Sequence, residues 1–327
     1  MPKELTHWQV ARAVFEGGLP APLKTMLQDH LPLYYLGAVA HDIPFYDLTQ
    51  PVEASLERVG NQLHGVDGEN PLVPLLEILA TALEQKKQEA FLSFFLGMLT
   101  HFFADSTFHP AVYYFSGNYV DPDPTKRGKA VFRHRLLETG MDLWLETARP
   151  MAYPKTLIRL WHDAGEEGHC VFALLARHYE PPGDVTLKAR FESAWQRHRI
   201  FQAAFRWSVP WRLLRLYRQM GHPGVEKLEA LFYRQPFKLS FFHGIPEWQH
   251  PVTGKRFNKG MGELFDESVG KAVSFFRRLG VCPPQAWPAA LREIPPLSLD
   301  SGLAYVGVQE MRYFSNVPLE NFIQKTP

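Results

Sequence analysis

The stretch FLGMLTHFFADSTFHP, residues 95–110, contains the residues that decide the fold. It is strongly apolar, so the sequence predicts a buried helix over 88–108 that ends before the proline. Along this stretch His101, Asp105 and His109 recur at intervals of four, and helical residues four apart lie one turn apart on the same face. Buried imidazoles and carboxylates are costly unless they are paired or hold a metal ion. The stretch therefore predicts a central helix that carries metal ligands into the core.

The proline at the end of this stretch separates the last histidine from the others. Pro110 disfavours α geometry in the residue before it, so His109 is predicted to leave the line of the helix. From that position His109 could serve a different metal ion from His101.

Further imidazoles and carboxylates accompany the central helix. A second long helix is predicted over 130–148, with His134 and Glu138 one turn apart. A single pair of this kind is usually structural, but the coincidence of two pairs with other ligands at helix ends favours a metal site. Nitrogen and oxygen ligands without thiolate suit zinc better than manganese or iron. The other candidates are His7 on a first helix that Thr6 and Gln9 would cap, His41 and Asp42 at the end of a helix over 33–41, and His64 in a glycine-rich loop.

Length and composition set the class of protein. The chain has 327 residues, of which 46% are hydrophobic and 21% charged, so a sizeable core is possible and disorder is excluded. Alternating β-type patterns are scarce, which predicts an all-α bundle. A net charge of +1 makes a nucleic-acid partner unlikely, and two cysteines exclude a disulfide framework. Further helices are predicted over 51–63, 72–88, 154–179, 185–206, 209–219, 223–234 and 260–279.

Three regions are predicted along the chain. Residues 1–150 form the helical core with the metal site, and residues 151–280 add helices that pack on it within the same domain. Residues 281–327 form a proline-rich extension over the surface. The first residues lack the apolar segment of a secretory leader, and residues 90–104 are too short to span a bilayer, so a cytoplasmic protein is predicted.

In their order and spacing, these motifs resemble the zinc-dependent phospholipase C family of all-α phosphodiesterases. The resemblance covers residues 1–146, and residues 244–273 are similar to a segment of uncharacterised bacterial members. It implies a multi-helix bundle of the phospholipase C and zinc nuclease type. The motifs that carry it are Thr6-His7-Trp8, Ala40-His41-Asp42, FLGMLTHFFADSTFHP at 95–110 and VFRHRLLE at 131–138.

The resemblance implies a site with two or three zinc ions. Asp42 would also orient or deprotonate the attacking water, which makes it the predicted catalytic residue. From the residues alone, His41 is either a support that donates to a neighbouring carboxylate or a helix C-terminal histidine stabilised by the dipole, and Asp142 is a second candidate for such support. The implied ligand sets are Asp42, His64, His101 and Asp105 for one ion, His109, His134 and Glu138 for a second, and His7 with a shared Asp105 for the third.

The predicted function is a metal-dependent phosphodiester hydrolase that acts on a phospholipid or another phosphodiester through metal-activated water. Three alternatives stay open. One is a phosphohydrolase of the HD type that uses His7, His41-Asp42 and either Asp105 or Asp142. The second is a zinc nuclease, and the third is a metal-stabilised binding protein without catalysis.

The region 187–238 predicts a second kind of contact. It has 11 lysines and arginines, three acidic residues and many interleaved aromatic residues. This composition is typical of a peripheral contact with an anionic membrane. The alternative is that the aromatic residues form a core and the arginines its solvated face.

Overall fold

A computed structural model describes residues 3–48, 56–178, 186–222 and 224–323 of the chain. Short 3-10 helices span Ala40–Tyr46, Leu239–His243, Pro284–Ala286 and Val308–Glu310. Two antiparallel strands, β1 (Trp248–Gln249) and β2 (Arg256–Phe257), form a small hairpin. The helices are α1 (Glu4–Glu16), α2 (Ala21–Asp29), α3 (Leu31–Gly37), α4 (Glu57–His64), α5 (Leu72–Leu83), α6 (Gln88–Ser116), α7 (Pro124–Ala148), α8 (Leu157–His178), α9 (Thr186–Ala204), α10 (Ser208–Gln219), α11 (Val225–Glu229), α12 (Met261–Leu279), α13 (Trp287–Arg292) and α14 (Glu320–Ile323).

The all-α prediction is confirmed, and the boundaries differ where turns interrupt the periodic pattern. The helix predicted over 33–41 divides into α3 and the 3-10 helix that follows it. The helix predicted over 72–88 ends at Leu83, and the one predicted over 223–234 reduces to the short α11. The start of the helix predicted over 51–63 lies outside the described residues, as does Pro223.

Helix α6 is the centre of the bundle. It packs against α1, α3, α5, α7 and α12, and nearly all of its residues are buried. By length and composition α6 could cross a membrane, but the apolar window that passes this test is entirely buried inside the protein. Its apolar character on all sides therefore matches a helix that is surrounded by other helices.

Two glycines let α3 and α6 touch through their backbones. A Cβ atom at Gly97 would lie 2.0 Å from the carbonyl oxygen of Tyr34, and one at Gly37 would lie 1.9 Å from that of Phe94. Such distances are far below van der Waals contact, so only glycine fits at either position. His101 follows Gly97 by one helical turn, and the close crossing therefore fixes its distance from the residues after α3.

The prediction that the central helix ends before Pro110 is wrong, because α6 continues to Ser116 with the proline inside it. Proline removes the amide that would bond to the carbonyl four residues earlier, which is that of Ser106. Gly302 packs against this carbonyl, where a Cβ atom would lie 2.6 Å from the oxygen. His109 stays in the helix. His109 nevertheless lies beside other side chains than His101 does, because eight residues span about 12 Å along a helix.

The predicted N-terminal cap of α1 is also wrong. The helix begins at Glu4, so Thr6 lies inside its first turn. The free amides of this turn bond to a side chain of α7: Asp142 accepts from the Thr6 amide at 2.8 Å and from the Leu5 amide at 3.3 Å. A carboxylate from a neighbouring helix thus replaces a local cap and is favoured there by the helix dipole.

The C-terminal extension does more than run over the surface. Residues 298–301 are buried, and the Leu299 amide donates to the carbonyl of His64 at 2.8 Å. The Val308 amide likewise donates to the carbonyl of Val66 at 2.9 Å. This part of the extension therefore lies against the end of α4, beside the predicted site.

Candidate metal centre

The described residues contain three buried groups of side chains that could each hold a metal ion. In every group the imidazole nitrogens and carboxylate oxygens lie within 4.8 Å of one another. All eight predicted metal ligands come together in this region, which α1, α4, α6, α7 and the 3-10 helix after α3 enclose. The groups are His7 with His101 and Asp105, Asp42 with His64 and His101, and His109 with His134 and Glu138.

Backbone carbonyls orient two of the imidazoles. His101 donates its Nδ1 proton to the carbonyl of Ala38 at 2.9 Å, and His64 donates its own to that of Gly60 at 2.7 Å. With Nδ1 protonated, the neutral ring leaves Nε2 as an acceptor. Nε2 of His64 lies 3.5 Å from Asp42 Oδ1, and Nε2 of His101 lies 3.6 Å from the same oxygen. Acceptors that face each other at such distances favour a cation between them.

Asp105 lies at the centre of the ligands. Its Oδ2 is 2.9 Å from His101 Nε2 and 3.7 Å from His64 Nε2. Its Oδ1 is 3.5 Å from His7 Nε2 and 3.8 Å from His109 Nε2. The two oxygens therefore face different imidazoles, which is the arrangement expected of a carboxylate shared between ions.

The third group joins α6 to α7. Glu138 Oε1 lies 2.8 Å from His134 Nε2 and 3.6 Å from His109 Nε2. On the other side of the ring, His109 Nδ1 lies 3.2 Å from Asp300 Oδ1. Asp300 is 5% exposed and comes from the C-terminal extension. The sequence does not predict this residue, because nothing in its local pattern distinguishes it from an ordinary turn aspartate.

The electrostatics of the site reflect buried carboxylates beside imidazoles. Burial lowers the pKa of His109, but Asp105, Asp300 and Glu138 outweigh it and raise the pKa to about 10. Burial raises the pKa of Asp105, yet the imidazoles of His101, His109 and His7 hold it well below its usual range. These shifts indicate that the carboxylates favour positive charge at the centre of the site.

The residues of this site fit zinc. Their ligand atoms are nitrogen and oxygen, the set that catalytic zinc sites use. Unpaired buried polar atoms are rare in folded proteins, and several of those in this protein belong to the predicted ligands. Buried atoms that make no hydrogen bond within the described ranges include both ring nitrogens of His7, Nε2 of His64, Oδ1 of Asp42 and Oδ1 of Asp105.

The two residues predicted to support the ligands have other surroundings. The His41 ring stacks on that of His101 at 4.4 Å, and its nitrogens make no hydrogen bond with any described residue. It lies in the 3-10 helix after α3, so it is not a helix C-terminal histidine either. Asp142 accepts from Thr6 and from the Tyr233 hydroxyl, which makes it a support of α1 rather than of a ligand.

A cleft opens on the site and contains residues that the sequence motifs do not predict. It has a volume of about 230 Å³, and the carboxylates of Asp42 and Glu138 line one part of it. Lys3 and Arg135 supply positive charge to the same cleft. Burial lowers the pKa of Lys3 to about 8, which leaves its amine protonated at neutral pH. The rest of the lining is mostly apolar: Phe45, Tyr46, Leu48, Phe201, Phe205, Leu228 and Leu231, with Glu4 among them.

The protein is an all-α bundle, and its central helices direct buried imidazoles and carboxylates toward an open cleft. These features define the class of helical metal-dependent proteins with an accessible site. The profile of one family, the zinc-dependent phospholipase C family, matches residues 6–177, more than half of the chain. The protein belongs to this family, as the motifs in the sequence predict. Comparison with curated proteins and with solved structures gave no match.

Proposed function

We propose that the protein is a zinc-dependent phosphodiester hydrolase, similar to phospholipase C, that attacks its substrate with water. One observation carries the proposal: Asp42 and Glu138, which belong to two different ligand groups, both line the same cleft. A purely structural metal site is closed by protein ligands, whereas a catalytic site keeps a position open to substrate. The cleft therefore supports a catalytic site over a scaffold.

The proposed ligands are those that the sequence predicts. Zinc, when bound, neutralises charge on the phosphoryl oxygens and lowers the pKa of water to near neutrality. Asp105 would hold the ions together from the centre of the site, and the two imidazoles with carbonyl partners would keep their orientation without substrate. His7 would complete one group from α1, a helix that Asp142 holds in place.

Asp42 is the proposed catalytic residue. Its carboxylate lies between two imidazoles on one side and the cleft on the other. From there it can orient a water molecule toward phosphorus or accept its proton. Lys3 and Arg135 favour an anionic phosphodiester in the cleft, and the apolar lining accommodates an apolar part of the substrate.

The alternatives explain fewer of the contacts. The HD-type alternative would use His7, His41-Asp42 and either Asp105 or Asp142. Asp142, however, binds the start of α1, and His41 packs by stacking. That reading also leaves His109, His134 and Glu138 unused although they form a group of their own. The nuclease alternative shares the site and is distinguished by substrate.

Elemental analysis and a substrate panel test the proposal together. Protein grown with zinc and purified without chelator should hold two or more zinc equivalents and should cleave at least one phosphodiester among phospholipids, nucleotides and single-stranded nucleic acid. Asp42→Asn should lower this activity roughly 100-fold or more. Asp266→Asn, at an exposed carboxylate, is the matched control. Zinc-loaded protein that cleaves no phosphodiester would instead favour a binding protein.

A further inference from the structure

Helix α10 carries an apolar stripe that the fold leaves uncovered. Val209, Leu213 and Leu216 lie along it and Met220 follows directly, at intervals of four, three and four residues, so that they share one face. These four residues are between 52% and 66% exposed, and α10 itself has no buried residue. Contiguous exposed apolar patches on a protein surface usually mark an interaction site.

Positive charge accompanies this stripe. Between residues 193 and 225 the chain has six arginines and no aspartate or glutamate. Arg212 and Arg215 are exposed on α10 beside the stripe. Arg218, by contrast, pairs with the buried Glu229 at 3.1 Å and therefore belongs to the packing of α10 on α11. An exposed apolar face flanked by arginines is the composition of a helix that lies in a membrane interface.

The stripe lies close to the cleft in the fold. Phe201 and Phe205, on the residues that lead into α10, line the cleft, and so does Leu228 of α11, against which α10 packs. The Tyr233 amide donates to the carbonyl of Phe205 at 3.1 Å, which connects the residues that precede α10 with those that follow α11. Any partner that binds the exposed face of α10 would therefore lie near the apolar part of the cleft.

We infer that this face of α10, defined by Trp207, Val209, Leu213, Leu216 and Met220 with Arg212 and Arg215, docks onto an anionic lipid bilayer. The apolar residues enter the headgroup boundary, and the two arginines pair with lipid phosphates and carboxylates. Trp207, 59% exposed at the start of α10, has the amphipathic ring that membrane interfaces favour. The binding itself does not require the proposed hydrolysis; only the delivery of substrate to the cleft rests on it.

Sedimentation with vesicles tests the inference. The full-length protein should sediment at low salt with vesicles of phosphatidylserine and phosphatidylcholine, and it should be released as the salt concentration rises. Leu213→Ser with Leu216→Ser should weaken binding roughly tenfold or more, because apolar area is lost. Arg212→Gln with Arg215→Gln should weaken it about fivefold for each arginine.

Two control variants make similar single substitutions elsewhere on the surface. Val281→Ser alters a residue that is 78% exposed, and Arg292→Gln alters an exposed arginine of α13; both should bind vesicles like the parent. Circular dichroism and zinc content should be the same in all variants. Because the assay measures sedimented protein, vesicle binding by a zinc-loaded protein that cleaves nothing in the substrate panel would overturn the proposed function and leave this inference standing.

Three results would overturn the inference. The first is a parent protein that does not sediment with anionic vesicles at low salt. The second is a stripe variant that binds as well as the parent. The third is a parent that forms dimers in sedimentation velocity while the Leu213→Ser, Leu216→Ser variant is monomeric and neither binds lipid, which would assign the face to a second copy of the chain.

Discussion

Asp300 Oδ1 lies 3.2 Å from His109 Nδ1, on the side of the ring opposite to Glu138. A histidine that binds metal through one nitrogen commonly has a carboxylate or carbonyl at the other, which fixes the tautomer and the orientation of the ring. His64 and His101 have carbonyl partners in this position, and His109 has a carboxylate. The C-terminal extension thus supplies the carboxylate that orients the ring of His109.

Replacing Asp300 should weaken one group and leave the others intact. We expect Asp300→Ala to lower zinc affinity at the His109 group roughly 10- to 100-fold, because the ring loses its orienting partner. Zinc retained against a graded chelator, measured by elemental analysis, reports this loss. Asp300→Asn should lose less, and Asp266→Asn should lose none. Equal release of all zinc from Asp300→Ala would show general unfolding instead of a local effect.

The central position of Asp105 predicts that its removal affects more than one ion. Asp105→Ala should lose more zinc equivalents than His7→Ala and should lower the melting temperature further, since bound metal stabilises the folded state. Both quantities can be measured on the same preparations. If both variants lose the same small amount, Asp105 is not shared between ions.

The backbone contact of α3 with α6 predicts a strong effect of one methyl group. Gly97→Ala should destabilise the protein by about 1–3 kcal/mol or more, because its Cβ would lie 2.0 Å from the Tyr34 carbonyl oxygen. Gly270→Ala in α12 is the control: its Cβ would meet no atom within 4 Å, and alanine favours helix, so stability should stay equal or rise. Urea unfolding of both variants gives the comparison.

Asp142 predicts a pH dependence of stability. Burial raises its pKa from 3.8 to about 6, so between these values the folded protein holds a proton that the unfolded chain has lost. This contribution to stability is present below pH 4, declines as pH rises toward 6, and is constant above that. We expect the free energy of unfolding of the parent, relative to Asp142→Asn, to fall by on the order of 3 kcal/mol across this range. A difference that does not change with pH would show that Asp142 titrates normally when folded.

The sequence contains most of the information about which side chains meet. Four-residue spacing within α6 and α7 is a local property, and it places His101 with Asp105 and His134 with Glu138 before any tertiary structure is known. The order of motifs then led to the family, which the profile match confirms. The spacing could not show that α6 continues through Pro110, where the carbonyl of Ser106 lies against Gly302, almost 200 residues away.

What the sequence could not predict depends on contacts between distant segments. Asp300 has no periodic pattern around it, and its role appears only when the extension packs against α6. Asp142 looked like part of the metal site because it follows Glu138 by one turn, yet its oxygens bond to the start of α1. The exposure of the α10 stripe likewise cannot be predicted from composition, because the same residues would suit a buried helix equally well.

The contacts of Leu299 and Asp300 have a consequence for the order in which the protein matures. The segments that carry His7 through Glu138 precede the C-terminal extension in the chain, so they leave the ribosome before it during synthesis. The hydrogen bond to the His64 carbonyl and the carboxylate beside His109 become available only after residue 300 has emerged. A chain that terminates before this point holds its ligands without their last constraint, so the final geometry of the centre is set late in the life of the nascent polypeptide.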